Sequence, residues 1–68
     1  MIGKIKYEYR IYNKLTEEYV NFGYRSKSIW RRFPKYFTQD LNDDYEVHKF
    51  EYVQHDIIKL NLKGDELN

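Results

Sequence analysis

The hydrophobic positions at the start of the chain alternate with polar ones. Isoleucine or tyrosine occupies residues 5, 7, 9 and 11, and a charged side chain occupies residues 4, 6, 8 and 10. An alternation of period two in β-branched and aromatic side chains is typical of a half-buried strand. Mostly polar residues 13–17 form a break of hairpin length, and residues 19–25 resume the alternation with Val20, Phe22 and Tyr24 on one face. This part of the chain therefore predicts an antiparallel hairpin.

A single proline decides where a helix can begin in the central part of the chain. Ser28 is a plausible N-cap for a helix that starts at the next residue, but Pro34 would then lie inside that helix. Proline costs about 3 kcal/mol in a helix interior, whereas it is nearly free at the first helical position. We therefore expect a helix from Pro34 to about residue 41 or 42, with Phe37 and Leu41 pointing inward, and an extended or looped connection over residues 26–33.

The last part of the chain returns to strand chemistry, but its pattern slips by one position. Tyr45 and Val47 share one face of a strand over residues 45–53, whereas Phe50 and Tyr52 share the other. A one-residue bulge near residues 48 and 49 would restore a single buried face. After a turn at residues 54–56, apolar side chains at 58, 60 and 62 predict a last strand, and residues 63–68 are expected to form a polar, frayed tail.

These elements predict one α+β domain over residues 1–68. Its order is ββαββ, with a small antiparallel four-stranded sheet and one short helix packed on a face. With 68 residues and no cysteine, the chain has neither a disulfide nor a thiolate for zinc. Stability must then come from burial of its eight Tyr, four Phe and one Trp, or from association. The apolar last strand makes a homodimer a further expectation.

Charge is balanced overall but unevenly distributed. Twelve Lys and Arg face eleven Asp and Glu, which argues against a general polyanion binder. Residues 19–39 nevertheless carry five cations and no acid, and four acids follow within residues 40–46. No hydrophobic run is long enough for a membrane span or a secretory signal, so we expect a cytoplasmic protein. Residue choice favours amino acids with A- and T-rich codons, which suggests a low-GC bacterium or one of its phages as the source.

The basic aromatic stretch at residues 24–36, here called the central segment, is the principal candidate site. Its rings and cations are typical of both protein interfaces and single-strand nucleic acid binding. The competing interpretation is that its rings fill the space between helix and sheet while its cations are simply solvated. The predicted partner-binding residues are Tyr24, Arg25, Lys27, Trp30, Arg31, Arg32, Lys35 and Tyr36. Tyr12 and Tyr19, near the first hairpin turn, form a secondary candidate surface or an ordinary cross-strand pair.

No pattern in the sequence predicts catalysis, a metal site or a cofactor. His48 and His55 are the only imidazoles, and zinc needs three or four convergent ligands. Ser26 and Ser28 lie in a cationic stretch with no glycine-rich elbow beside them. The sequence thus favours a non-catalytic protein-binding module, in the manner of small phage-type proteins that inhibit or redirect a larger host enzyme. The alternatives are nucleic acid binding through the central segment, and a small-ligand binder in a groove across a dimer.

Overall fold

The computed structural model describes residues 6–20, 29–53 and 55–67, and it contains a four-stranded antiparallel sheet with one short helix. The elements are β1 (Tyr7–Asn13), β2 (Glu18–Tyr19), α1 (Lys35–Thr38), β3 (Tyr45–Glu51) and β4 (Asp56–Leu60). The strand order in the sheet is β2-β1-β3-β4. The predicted four-stranded antiparallel sheet is therefore confirmed, and one short helix is present as a minor element. No Cα atom of the helix lies within 8 Å of a strand Cα atom, so the predicted packing of the helix on a face of the sheet is not borne out. No helix in the described ranges is long and apolar enough to cross a bilayer.

The register between β1 and β3 is continuous, so the predicted bulge near residues 48 and 49 is wrong. Pairing runs one to one from Tyr7 opposite Glu51 to Asn13 opposite Tyr45. Lys49 consequently points to the same face as the core, where its ammonium nitrogen lies 4.1 Å from the centre of the Tyr7 ring. A lysine can occupy such a position because its stem covers apolar surface while its charge meets the aromatic face.

The core lies on one face of the sheet, at its centre. Ile11, Val47 and Leu60 are buried there, on three adjacent strands. Half-buried or partly buried side chains pack around these three: Tyr9, Val20, Trp30, Phe33, Leu41, Tyr45 and Ile58. The connection between β2 and β3 thus supplies part of the cover for the sheet.

The helix is a single turn, shorter than the sequence predicts. Pro34 is buried and occupies the N-cap position, one residue before Lys35–Thr38. The buried side chain of this turn is Thr38, whose hydroxyl donates a hydrogen bond to the Lys35 carbonyl at 3.2 Å. Phe37 is 39 % exposed, so the expectation that it points inward is wrong. Leu41 does pack against the core, but it lies beyond the helix.

Trp30 is tied to the outer edge of β1 by its main chain. The Tyr9 amide donates to the Trp30 carbonyl at 2.7 Å, and the Trp30 amide donates to the Tyr9 carbonyl at 3.0 Å. On the same edge, the Val20 amide donates to the Ile11 carbonyl at 2.8 Å. The chain therefore contacts this edge at Val20 and again at Trp30. The rest of the strand predicted over residues 19–25 lies outside the described residues.

Residues 61–67, here called the return segment, fold back along the outer edge of β4. The Asn61 side-chain oxygen accepts hydrogen bonds from the Lys63 and Asp65 amides, both at 2.9 Å, and thereby closes a turn. The Leu67 amide donates to the Lys59 carbonyl at 2.8 Å, and Leu60 pairs with Glu66 as an antiparallel bridge. The sequence predicts a frayed tail from residue 63. This prediction is wrong for residues 63–67, which are hydrogen-bonded to the edge of β4 or within their own turn.

Candidate functional site

The structure describes only part of the central segment. Tyr24, Arg25 and Lys27 lie outside the described residues. The other five predicted partner-binding residues fall on the connection that covers the core and on the helix that follows it. They are Trp30, Arg31, Arg32, Lys35 and Tyr36.

Trp30 is half-buried and belongs to both the core and the surface. Its indole packs against the cluster formed around Ile11, and its ring centre lies 5.2 Å from that of Phe37. The two main-chain hydrogen bonds to Tyr9 fix its position along β1. Trp30 thus attaches the central segment to β1 through its main chain and contacts the core through its indole.

The cations of the segment lie in solvent. Arg31, Arg32 and Lys35 are all exposed. Within residues 6–20, 29–53 and 55–67 the one basic side chain within ion-pair distance of a carboxylate is His48, beside Glu46, so no described carboxylate lies that close to Arg31, Arg32 or Lys35. Their charge is available to a partner, because nothing described compensates it.

Exposed apolar side chains accompany the cations. Tyr36 is 79 % exposed, and Ile29 and Phe37 are 46 % and 39 % exposed. The Tyr36 and Phe37 rings meet edge to face with centres 6.1 Å apart. Beside them lies an open groove of about 510 Å³. Its walls are Ile29, Trp30, Arg31, Arg32, Phe33 and Pro34. The groove therefore has two arginines among mostly apolar lining residues.

The secondary candidates, Tyr12 and Tyr19, form a cross-strand pair between β1 and β2. They lie directly opposite each other, with ring centres 5.2 Å apart, on the face of the sheet away from the core. Both are half-buried. The guanidinium carbon of Arg10 lies 4.4 Å from the Tyr19 ring centre. Their geometry is that of the ordinary cross-strand pair.

Both tyrosines contact a buried histidine. The Tyr12 ring stacks on His48 with centres 4.4 Å apart and planes 19° from parallel. The Tyr19 hydroxyl lies 2.8 Å from Nδ1 of His48, and Oε1 of Glu46 lies 2.9 Å from Nε2. His48 and Glu46 are only 5 % and 7 % exposed. We call Tyr12, Tyr19, Glu46 and His48 the histidine cluster.

Every polar group of this hydrogen-bonded chain has a partner. Nε2 of His48 donates to a Glu46 carboxylate, which can only accept. The Tyr19 hydroxyl donates to Nδ1 when that nitrogen is unprotonated and accepts from it when it is protonated, so Nδ1 has a partner in either form. Burial raises the pKa of Tyr19 above 10.0, with smaller effects from Arg10, which lowers it, and from Tyr12 and Glu46, which raise it.

The sequence does not predict the histidine cluster, although a signal for it exists. Residues 46, 48 and 50 alternate with the core positions 45, 47 and 49, and a continuous register places them opposite residues 12, 10 and 8. A bulge near residues 48 and 49 would place Phe50 on the opposite face from Glu46, so the prediction of a bulge hides the fact that residues 46, 48 and 50 share a face. No group of three potential metal ligands occurs in the described parts of the chain, so Glu46 and His48 do not extend to a metal site there.

Comparison with known proteins gives no relative for this arrangement. No family model matches the chain, and no curated protein and no solved structure matches it either.

Proposed function

We propose that this chain is a non-catalytic protein-binding module that uses the exposed part of the central segment. The observation that carries the proposal is Tyr36, 79 % exposed on a helix that also carries the solvated Lys35. Tyrosine, tryptophan and arginine are the side chains that concentrate binding energy at protein interfaces. The proposed partner is a larger host protein, such as an enzyme that the chain inhibits or redirects.

The chemistry of the segment limits the kind of surface that would fit it. Ile29, Tyr36 and Phe37 offer apolar area, and the two guanidinium groups of Arg31 and Arg32 stand at the groove. A complementary surface has an apolar depression with an acidic rim. Opposite charges of this kind accelerate association and orient the partners before the apolar groups make contact.

Nucleic acid is the second candidate, and the exposed Tyr36 ring beside Lys35 is the observation that favours it. A base can stack on such a ring while cations contact phosphates. Protein is preferred because eleven carboxylates nearly cancel twelve basic side chains and would repel a polyanion. Salt separates the two, since nucleic acid affinity falls steeply as counterions are released.

The test is capture of a partner by the double variant Arg31→Glu, Arg32→Glu. Immobilised wild type and variant are exposed to lysate of the source host with and without nuclease treatment, and the captured protein is then purified and titrated against each. We expect the variant to lose more than about tenfold in affinity, because two side chains of an interface reverse their charge. Its thermal midpoint should move by no more than about 4 °C, since both side chains are exposed.

The matched control reverses the same number of charges elsewhere. Lys14 lies in the turn after β1 and Lys63 in the return segment, and both are exposed. The variant Lys14→Glu, Lys63→Glu therefore has the same net charge as the test variant and should bind as wild type does. Retained affinity in the test variant, or equal losses in the two variants, would contradict the proposal. Capture that disappears after nuclease treatment would favour nucleic acid.

A further inference from the structure

The face of the sheet away from the core, here called the second face, carries a row of basic side chains across three strands. Arg10 of β1 lies opposite His48 of β3, and His48 lies opposite Lys59 of β4. Because neighbouring strands lie about 4.8 Å apart, the Cα atoms of Arg10 and Lys59 are about 10 Å apart, with His48 between them. Two long basic side chains at this separation can contact one small anion from opposite sides.

An aromatic ring fixes the position of Arg10. Its guanidinium carbon lies over the Tyr19 ring, 4.4 Å from the ring centre. The centre of that ring is 5.4 Å from the centre of His48 and 5.7 Å from that of Phe50, so the ring reaches from β2 across β1 to β3. The cation–π contact therefore holds the charge of Arg10 over the middle of the second face.

No acceptor within the chain accounts for this cation. Nε of Arg10 is buried, and no described residue forms a hydrogen bond with it. In the described parts of the chain, no carboxylate lies within ion-pair distance of Arg10 or Lys59. The carboxylates that β1 and β3 place on the second face have other partners, since Glu8 accepts from the Tyr52 hydroxyl at 2.8 Å and Glu46 belongs to the histidine cluster. A half-buried arginine in this state has donors for an anion from outside the chain.

Apolar surface lies beside the row of basic side chains. Ile57 and Lys59 are two residues apart on β4 and therefore share the second face. Ile57 lies opposite Phe50 of β3, and its side chain is 54 % exposed. An organic group attached to the anion would cover this side chain and remove apolar area from water.

The charge and shape of the two cations favour phosphate over carboxylate. A phosphate monoester carries about 1.5 to 2 negative charges at neutral pH, and a guanidinium fork can donate to two of its oxygens at once. We propose that the second face binds a phosphate monoester, with the phosphate between Arg10 and Lys59 and the organic part over Ile57. This site lies on the opposite face of the sheet from the core that Trp30 contacts, so it does not depend on the function proposed for the central segment.

The test is a titration of the full chain with phenyl phosphate, inorganic phosphate and benzoate at constant ionic strength. Amide chemical shifts and the Nε–H signal of Arg10 locate the site and give the dissociation constants. We expect phenyl phosphate to shift the signals of residues 10, 57 and 59, and to bind about threefold more tightly than inorganic phosphate because its ring covers apolar surface. Benzoate has the same ring but a single charge, so it should bind more weakly than phenyl phosphate.

Single substitutions then assign the contacts. Arg10→Gln should weaken phenyl phosphate binding by about tenfold, because charge-assisted hydrogen bonds are lost. Lys59→Gln should weaken it by about threefold, since an exposed lysine contributes less. Lys63→Gln is the matched control, because it removes the same charge from an exposed position in the return segment, and it should bind as wild type does. Ile57→Ser should remove the advantage of phenyl phosphate over inorganic phosphate.

Three results would overturn the proposal. The first is a set of shifts that chloride reproduces at the same ionic strength, and the second is benzoate binding as tight as that of phenyl phosphate. The third is a Lys59→Gln protein that binds phenyl phosphate as tightly as Lys63→Gln does. If Arg10→Gln does not keep the amide dispersion of a folded sheet, Lys59→Gln decides the question, because Lys59 is exposed.

Discussion

At the residue scale, His48 demonstrates how a polar side chain can be buried in a very small protein. An unpaired buried donor or acceptor costs about 1 to 3 kcal/mol, which is a large part of the stability of such a chain. Tyr19 and Glu46 prevent this cost by occupying both ring nitrogens. Tyr12 adds a stacked ring that excludes water from one side of the imidazole. The cluster therefore fixes the second face of the sheet without a second hydrophobic core.

The raised pKa of Tyr19 predicts a loss of stability in alkali. Burial raises this pKa above 10.0, so the unfolded chain loses the proton at lower pH than the folded one. Between the two pKa values the unfolded state binds fewer protons, and the free energy of unfolding falls as pH rises. The stabilisation that protonated Tyr19 contributes to the folded state is fully present below pH 10.0 and disappears as the pH rises through the pKa of Tyr19 in the folded state. Urea unfolding measured from about pH 8 to about pH 11 follows it.

The variant Tyr19→Phe should flatten this alkaline decline. Tyr36→Phe is the comparison that shows what an exposed tyrosine contributes, because Tyr36 is 79 % exposed and lies outside the histidine cluster. The prediction fails if wild type and Tyr19→Phe lose stability in parallel above pH 10.0.

At the element scale, the strands are predicted better than the helix. The alternation before Asn13 is strong enough to define β1 and its core face, and the same is true of the alternation at the end of β4. The sequence predicts a bulge in β3 that the structure does not have. This prediction is wrong because it assumes that only one face of the sheet is buried. The histidine cluster buries the second face too, so Phe50 needs no change of register.

The helix and the central segment depend on long-range contacts that local patterns do not carry. Proline correctly indicates where the helix begins, but one turn suffices before Leu41 reaches the core. The position of Trp30 follows from hydrogen bonds to Tyr9, twenty-one residues earlier in the chain. A sequence pattern can place an aromatic residue in a basic stretch, but it cannot say which edge of the sheet holds its main chain.

The turn of the return segment depends on one glycine. Gly64 has φ of +96°, a conformation that side chains with Cβ rarely adopt. Gly64→Ala should lower the free energy of unfolding by about 1 to 2 kcal/mol through backbone strain. The added Cβ would lie 3.6 Å from the Phe33 ring, an ordinary contact, so steric overlap contributes little. Urea unfolding measures the difference.

Gly64→Asn is the control for this prediction, because asparagine tolerates positive φ better than alanine does. It should lose less stability than Gly64→Ala although its side chain is larger. The opposite order would mean that the contact with Phe33, rather than the backbone conformation, governs the substitution.

At the scale of the whole molecule, the small size of the core determines how the chain responds to substitution. Apart from Pro34, only three hydrophobic side chains in the described residues are buried, and they come from β1, β3 and β4. Stability of about 0.05 to 0.15 kcal/mol per residue gives about 3 to 10 kcal/mol for a chain of 68 residues. The free energy lost when one substitution creates a cavity in this core is therefore comparable to the free energy of unfolding of the entire fold.

Ile11→Ala should accordingly bring the protein close to global unfolding at 25 °C. Ile11 is fully buried, and truncation of such a side chain costs about 2 to 5 kcal/mol. Ile11→Val removes one methylene from the same position and costs about 0.5 to 1.5 kcal/mol, so it should remain folded. Amide chemical-shift dispersion and urea unfolding distinguish the two outcomes. If Ile11→Ala instead keeps a dispersed spectrum and the wild-type midpoint, the three buried residues are not what holds the sheet together, and the aromatic residues around them, together with the histidine cluster, must supply most of the stability.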